Sequence, residues 1–322
     1  MKKNLLVILS SLFLIFSFPG FNIWILAWVA FVPLFFAMEG QSPLKSFLMA
    51  YLSGFLFFLG TMYWLVHVTL PGMIIVVAYL AVYFGLFGLI FSHNSLVSDN
   101  KKIFLIPAAW ASLEWLRAHA LTGFGWNLLG YSQGFNLPAI QVADITGAYG
   151  IGFVIMMFNT AVYIFIRGMR RGKDAYIAAA FAVITLLVVF GYGTFRLNNI
   201  FTGEKMRVAL VQGNIPQDQK WDERFVGTIL SKYESLTKEA AVSNPDLIIW
   251  PETSIPGFVE NEQMLASYVK NLVSSIQIPL LAGAPRYGNA GSEEAYYNTA
   301  FLFLKDASLG GRYDKVHLVP FG

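Results

Sequence analysis

The sequence predicts two domains of different fold class: a polytopic α-helical membrane domain over residues 1–195 and an α/β domain over residues 196–322. Hydrophobic residues make up 56% of the 322 positions and charged residues only 13%, whereas about a quarter of the residues in soluble proteins are charged. Long apolar segments fill the first part of the chain, and strand and helix patterns alternate in the second. Because so few charges cannot cover a soluble surface, we expect the chain to lie in a membrane.

Seven apolar segments are candidate membrane spans, since most approach the roughly 20 residues that a bilayer requires. They cover residues 5–18, 22–38, 46–66, 72–91, 103–118, 147–166 and 175–195. The first segment begins as a secretory signal would, but no small-residue cleavage site follows it, which favours a retained anchor. The fifth carries Glu114 and Arg117, one helical turn apart and able to form an ion pair.

Charges in the loops predict the orientation of this domain. With the N-terminus in the cytoplasm, the cytoplasmic segments contain most of the basic residues: Lys2, Lys3, Lys45, Lys101, Lys102, Arg167, Arg170, Arg171 and Lys173. On the opposite side only Arg117 and Arg196 lie near the membrane, so the bias is strongly positive-inside. Seven spans then place residues 196–322 outside the cytoplasm. No stripe of basic residues indicates a nucleic-acid partner.

The second domain shows regular α/β periodicity. We predict strands at 206–212, 247–250, 278–284, 298–304 and 312–319, and amphipathic helices at 222–241 and 263–275. Strands that alternate with helices indicate a layered α/β domain.

The apolar run of residues 247–250 ends in a proline-bracketed turn that holds Glu252, within the stretch LIIWPETSIP. Pro251 cannot donate to a sheet ladder, so pairing should stop there. A carboxylate at the carboxyl end of a core strand lies where open α/β sheets place reactive groups. The alternative is a solvated loop glutamate with no chemical role.

A cation that meets Glu252 would complete a base-and-cation pair, and Lys315 in the stretch YDKVHLVPFG is the candidate. A carboxylate accepts a proton from a weak nucleophile, and a fixed ammonium stabilises the oxyanion of acyl transfer. The alternative for Lys315 is a surface lysine paired with Asp314. The chain has no cysteine and its four histidines lack metal-ligand spacing, so we predict neither a metal nor another cofactor.

Residues 119–146 form a long loop between the fifth and sixth spans that is rich in glycine and aromatic residues. Trp126 and Phe135 are suited to a membrane interface. We predict that this loop dips back into the membrane or forms a ledge beneath the second domain; the alternative is a surface Ω-loop.

Five stretches occur in an order that resembles one family: VQGNIPQ followed by KW, then WPETSIP, AGAPR, YYN and YDKVHLVPFG, behind several spans. This order is similar to that of apolipoprotein N-acyltransferases, bacterial inner-membrane enzymes. The resemblance implies a nitrilase-like αββα sandwich, in which Glu252 is the general base, Lys315 stabilises the oxyanion and Trp221 lies near the site. It further implies a phospholipid acyl donor, typically phosphatidylethanolamine, and a diacylated apolipoprotein acceptor. With such a donor, Trp126 and Phe135 of the apolar loop would form a floor that binds its acyl chains, and Trp221 would contact the substrate.

The same resemblance implies a catalytic cysteine that forms a thioester, and these 322 residues contain none. We therefore expect a chain that ends within its α/β domain, before the cysteine, and that is inactive by itself. The family's GFPW is Gly123-Phe124-Gly125-Trp126 here.

Two further functions stay open on the sequence. A membrane-tethered nitrilase-like amidohydrolase would use the same Glu252 and Lys315. A non-catalytic membrane scaffold would need neither residue.

Overall fold

The computed structural model describes residues 2–93, 98–168, 173–199, 203–290 and 293–317. The chain divides into two compact units, Met1–Phe201 and Thr202–Gly322. Arg170, Arg171 and the end of the YDKVHLVPFG stretch, residues 318–322, lie outside the described residues.

The first unit is helical. Its helices are α1 (Lys2–Ser17), α2 (Phe31–Met38), α3 (Pro43–Thr61), α4 (Leu70–His93), α5 (Asp99–His119), α6 (Leu137–Ile140), α7 (Ala143–Gly168) and α8 (Lys173–Asn198). Among the described helices four are long and apolar enough to cross a membrane: Pro43–Thr61, Leu70–His93, Ala143–Gly168 and Tyr176–Asn198. The count of seven spans stays a prediction, and the predicted domain boundary at residue 195 lies near the end of α8.

The apolar segment at residues 22–38 is not one continuous helix. It consists of a 3-10 segment, Trp24–Trp28, followed by α2. Pro33 explains the division, because in a continuous helix its ring would meet the carbonyl of Val29, four residues earlier. The 3-10 segment ends directly before Val29, where φ is −130° and ψ is 2°.

Asn159 on α7 satisfies the backbone groups that this division exposes. Its Oδ1 accepts a hydrogen bond from Phe31 N at 2.9 Å, and its Nδ2 donates to Ala27 O at 2.9 Å. Asn159 is fully buried. An interrupted backbone inside an apolar unit needs such a partner, because unpaired buried polar groups are costly.

Helices α3 and α4 pack closely through glycine. A Cβ on Gly54 would lie 2.6 Å from the ring of Phe84, and one on Gly88 would lie 2.4 Å from the Ser46 carbonyl oxygen. Small residues of this kind let membrane helices approach each other. The aromatic core of the unit adjoins this contact, with Phe84 packed edge to face against Trp110 at 4.8 Å between ring centroids.

One end of the helical unit carries a cluster of ion pairs. Lys3 Nζ donates to the Glu39 carbonyl oxygen at 2.9 Å, and Lys102 Nζ pairs with Asp99 at 3.0 Å. Arg167 pairs with both Asp99 and Glu39. Three of the basic residues that the sequence assigns to the cytoplasm therefore lie at the same end of the unit.

The second unit is an α/β domain. It contains β1 (Val208–Leu210), α9 (Gln217–Lys220), α10 (Val226–Ala241), β2 (Leu247–Ile249), α11 (Gln263–Ile276), β3 (Leu280–Ala290), β4 (Glu293–Phe303) and β5 (Leu309–Asp314). The five strands form one sheet in sequence order. β1, β2 and β3 are parallel, whereas β4 is antiparallel to β3 and to β5.

Both long helices of this unit pack into the same hydrophobic core as one face of the sheet. That face presents Ile248, Leu280, Ala282 and Phe301, all fully buried. The alternate residues of β1 point to the other face and are exposed, Leu210 by 78%. The predicted helical membrane part followed by an incomplete α/β sandwich is confirmed: the described residues supply one helix layer and one sheet.

Candidate active site

Glu252 lies in a turn that is tied to the neighbouring strand. The turn leaves β2 at Trp250, and Ile255 N donates to the Gly283 carbonyl oxygen on β3 at 3.0 Å. Ser254 Oγ donates to the same carbonyl at 3.1 Å. Thr253 has a positive φ of 47°, which turns the chain sharply after the glutamate. The two bonds fix the direction in which the carboxylate leaves the sheet.

Gly283 makes this close approach possible. A Cβ at this position would lie 2.6 Å from Thr253 N and 2.7 Å from the Pro251 carbonyl oxygen. Contacts under 3.0 Å to backbone atoms force the backbone to shift, so only glycine fits beneath the Glu252 turn.

Lys315 follows the last residue of β5, which is anchored by its own partners. Arg286 donates to Asp314 through Nε at 3.0 Å and Nη2 at 2.8 Å, and Thr299 Oγ1 donates to Asp314 Oδ1 at 2.6 Å. Lys315 N donates to the Asn298 carbonyl oxygen at 2.8 Å. The alternative of a Lys315–Asp314 pair is therefore wrong, because Asp314 binds Arg286 and Thr299.

The structure brings the side chains of Glu252 and Lys315 together. Lys315 Nζ lies 2.8 Å from Glu252 Oε1, and Asn298 Nδ2 donates to the same oxygen. The ammonium of Lys315 lowers the pKa of Glu252, against the opposing effect of partial burial. The carboxylate is therefore ionised at neutral pH and able to accept a proton.

Asn298 is a site residue whose role no sequence pattern predicts. It belongs to the YYN stretch, which resembles the family pattern but carries no catalytic signal of its own. Its register opposite Pro285 in the β3–β4 hairpin aims it at the Glu252 turn. That register is a tertiary property, and no pattern of residue types encodes it.

A cavity of about 180 Å³ opens beside Glu252, at the carboxyl ends of β1 and β2. Its walls include the polar residues Gln212, Asn214, Lys220, Tyr233 and Glu252. Lys315 is not part of the wall, so the ion pair and the cavity share only the glutamate. Trp221, the predicted substrate contact in this unit, is exposed and lies outside the wall as well.

The other two predicted contacts, Trp126 and Phe135, belong to the helical unit, and both are exposed. Trp126 packs against Trp64 at 5.1 Å between ring centroids. Both predicted contacts lie in the predicted loop at residues 119–146, which contains a 3-10 segment at Leu129–Gln133 whose Gln133 is fully buried.

Glu114 and Arg117 organise this loop. The contacts of the described residues include no ion pair between the two side chains. Arg117 Nη1 donates to the carbonyl oxygens of Trp126 at 2.7 Å and Phe124 at 3.2 Å. Glu114 Oε1 accepts from Leu129 N at 2.6 Å. Both side chains are buried. We call Glu114, Arg117 and their loop partners the loop clasp. Their spacing makes the two side chains able to form an ion pair, but in the structure they bind loop backbone groups instead, and Glu114 Oε2 has no hydrogen-bond partner among the described residues.

The apolar helices, together with the Glu252–Lys315 pair on the α/β sheet, define a membrane protein that carries a carbon-nitrogen hydrolase-like domain. Residues 10–161 match the apolipoprotein N-acyltransferase N-terminal domain, and residues 207–322 match the carbon-nitrogen hydrolase family. The chain belongs to the apolipoprotein N-acyltransferase family, as the order of its motifs predicted.

Similar proteins include the apolipoprotein N-acyltransferase of Geobacter metallireducens, 36% identical over all of this chain and 64% of that protein. That of Caulobacter vibrioides is 30% identical over 98% of this chain and 63% of that protein. The chain thus spans a little under two thirds of these relatives. An amidase from Nesterenkonia sp. covers 38% of this chain and 47% of its own at a TM-score of 0.30, too low to support an argument.

Proposed function

We propose that this chain supplies the membrane part and the base–cation half of the active site of an N-acyltransferase. The reaction moves an acyl chain from a phospholipid, with phosphatidylethanolamine as the expected donor, to the N-terminal amine of a diacylglyceryl-cysteine apolipoprotein. The observation that carries this proposal is the 2.8 Å contact between Lys315 Nζ and Glu252 Oε1 at the ends of two strands. An ionised carboxylate beside a fixed ammonium suits acyl transfer.

In the first step Glu252 accepts the proton of a thiol while the sulfur attacks the ester carbonyl of the donor. Protonation neutralises the carboxylate, which weakens its hold on Lys315 and leaves the ammonium to stabilise the oxyanion. The carbon–oxygen bond then breaks, and the lysophospholipid oxygen takes the proton from Glu252. These 322 residues contain no thiol, so the sulfur must come from outside them.

In the second step the apolipoprotein amine attacks the thioester. The amide bond forms, the carbon–sulfur bond breaks, and Glu252 relays the proton from the amine to the sulfur. Lys315 again faces the oxyanion. Trp126, Phe135 and Trp221 are proposed to contact the lipid parts of the two substrates, since all three present exposed aromatic surface.

The reaction sets the location of the protein. Donor and acceptor are both anchored in the bilayer, so we propose a multi-pass protein of the bacterial inner membrane. Its N-terminus lies in the cytoplasm and residues 196–322 lie outside it, as the positive-inside bias predicts.

The test is acylation by the gene product that carries this chain, expressed in bacteria depleted of their own N-acyltransferase. Mass spectrometry of lipoprotein N-termini should show a third acyl chain. Glu252→Gln and Lys315→Met should each lower the transfer rate by roughly 100-fold or more. The exposed residues Glu239 and Lys305 provide matched controls, Glu239→Gln and Lys305→Met, which should transfer normally. Equal transfer by Glu252→Gln and Glu239→Gln would refute the proposal.

A further inference from the structure

The cavity beside Glu252 contains a cation that the two steps above do not use. Lys220, at the end of α9, lines the wall, and its Nζ makes one long hydrogen bond, 3.4 Å to the Glu252 carbonyl oxygen. Among the residues that the structure describes, no carboxylate oxygen lies within 4.0 Å of this nitrogen. An ammonium has three donors, so two of them have no protein partner among those residues and are available to a ligand in the cavity.

The ammonium of Lys220 is partly removed from solvent. The side chain is half-buried, and burial lowers the pKa of Lys220, with only a partial opposing effect from Glu252. Its ammonium lies 5.8 Å from the centroid of the Trp221 ring, an exposed cation–π contact. A partly desolvated cation with few partners gains most from an anion that enters the cavity.

The rest of the wall suits an anion as well. Glu252 is the one carboxylate among the residues that line the cavity, and Lys315 already neutralises it at 2.8 Å. Gln212 Nε2 donates to Asn214 Oδ1 at 2.7 Å, which leaves the Asn214 amide hydrogens as further donors. The charge presented to a ligand is therefore positive.

The size of the cavity limits which part of a ligand enters it. At about 180 Å³ it is smaller than the 300–1,000 Å³ of pockets that enclose whole drug-sized ligands. A headgroup phosphate fits such a space, whereas two acyl chains do not.

We propose that Lys220 binds the phosphate of the phospholipid donor and thereby places the donor's ester beside Glu252. This inference rests on the proposed function, because it names the group that recognises the donor at the same site. Lys220 contacts the substrate away from the reacting atoms, and its role is binding.

The test measures binding, so it needs neither the thiol nor turnover. Calorimetry on the full chain in a neutral detergent compares three probes: dihexanoyl phosphatidylethanolamine, dihexanoylglycerol, which lacks the phosphate, and inorganic phosphate. Lys220→Met should weaken binding of the phospholipid roughly 10-fold or more, the loss expected for a charged hydrogen bond. Binding of the diacylglycerol should not change. Lys220→Arg should retain most of the phospholipid affinity.

Lys232 on α10 is exposed, so Lys232→Met is the matched control and should bind all probes as the unchanged chain does. Equal phospholipid binding by Lys220→Met and Lys232→Met would overturn the inference. So would binding of inorganic phosphate at Lys220 without binding of the phospholipid, since the site would then serve free phosphate. Either result concerns donor binding and leaves the proposed acyl transfer standing. Conversely, loss of acyl transfer in a chain that still shows Lys220-dependent phospholipid binding would refute only the proposed function.

Discussion

Glu252 and Lys315 are 63 positions apart in the chain, and each is held by separate neighbours before the two meet. Asn298 serves both, since its side chain donates to Glu252 and its carbonyl accepts from Lys315 N. The lowered pKa of Glu252 follows first from the Lys315 ammonium. The same contact that would organise the oxyanion site therefore keeps the base deprotonated.

Removal of that ammonium should raise the pKa of Glu252 toward its ordinary value of 4.5. A carboxylate whose pKa is lowered by folding contributes stability above its ordinary pKa, and this contribution is lost as pH falls through the folded-state pKa. The difference in Tm between the unchanged chain and Lys315→Met should thus be largest near neutral pH and shrink below about pH 4.5. Differential scanning fluorimetry in detergent measures it.

The control for this experiment is Lys305→Met, which removes an exposed ammonium elsewhere. Its Tm difference should stay flat over the same pH range. A flat profile for Lys315→Met as well would contradict the assigned cause of the pKa shift.

At the scale of elements, the site depends on how closely the Glu252 turn lies over β3. Gly283→Ala places a Cβ against two backbone atoms of that turn. We expect a loss of about 1–3 kcal/mol in the free energy of unfolding, the usual cost of overpacking, together with a displaced Glu252 and slower acyl transfer. Urea unfolding and the acylation assay measure the two effects.

Gly311 on β5 offers the control, because a Cβ there would meet no atom within 4 Å. Gly311→Ala should leave stability and transfer nearly unchanged. If both alanine variants behaved alike, close packing beneath the turn would not be what positions Glu252.

In the helical unit, the loop clasp holds a loop in place as close packing on Gly283 holds the Glu252 turn. Arg117→Met leaves the carbonyl oxygens of Trp126 and Phe124 without their charged donor. We expect a stability loss of about 2–4 kcal/mol and a mobile loop. Because the chain has no cysteine, a single Trp126→Cys variant carries one spin label, whose mobility by electron paramagnetic resonance should increase when Arg117→Met is added.

Lys101 lies on the same helix and is exposed. Lys101→Met should leave the spin-label spectrum unchanged. An equally immobile label in the Arg117→Met chain would show that the loop is held by its apolar contacts alone.

At the scale of the whole molecule, the distribution of charge in the helical unit bears on topology. Lys3, Lys102 and Arg167 meet around Glu39 and Asp99 at one end. Arg167 lies near the end of α7. Asp144, near the start of the same helix, pairs with Arg196 at 3.0 Å. The three segments that contain Lys3, Lys102 and Arg167, all predicted to be cytoplasmic, thus lie at the same end of the helical unit.

Cysteine labelling tests the orientation. In intact spheroplasts, a membrane-impermeant maleimide should label a Lys305→Cys variant, whereas a Lys45→Cys variant should react only after permeabilisation. The cysteine-free background makes each signal unambiguous. The reverse pattern would place the α/β domain in the cytoplasm, away from the lipoprotein substrates that we propose.

In the α/β domain, the periodicity of the sequence predicts the strands and helices. Each predicted strand and helix has a counterpart in the structure. Residues 247–250 form a short continuous apolar run, which is typical of a buried strand, and residues 263–275 carry the period-3.6 pattern of an amphipathic helix. The β3–β4 hairpin extends beyond the prediction, to 11 residues in each strand. Gly288 and Asn289 lower the intrinsic strand preference there, and pairing between the two strands overrides it.

Composition, motif order and the residues at strand ends can be read directly from the chain, and they suffice to predict the membrane class, the family and the two charged residues of the candidate site. The pairing of Asp314 with Arg286, which leaves Lys315 to pair with Glu252, becomes visible in the folded chain alone. The folded chain also shows that Asn298 binds Glu252 and that Lys220 lines the cavity wall. Glu114 and Arg117 bind loop backbone groups rather than each other. These partnerships depend on strand register and on the paths of loops, which bring together residues from distant parts of the chain.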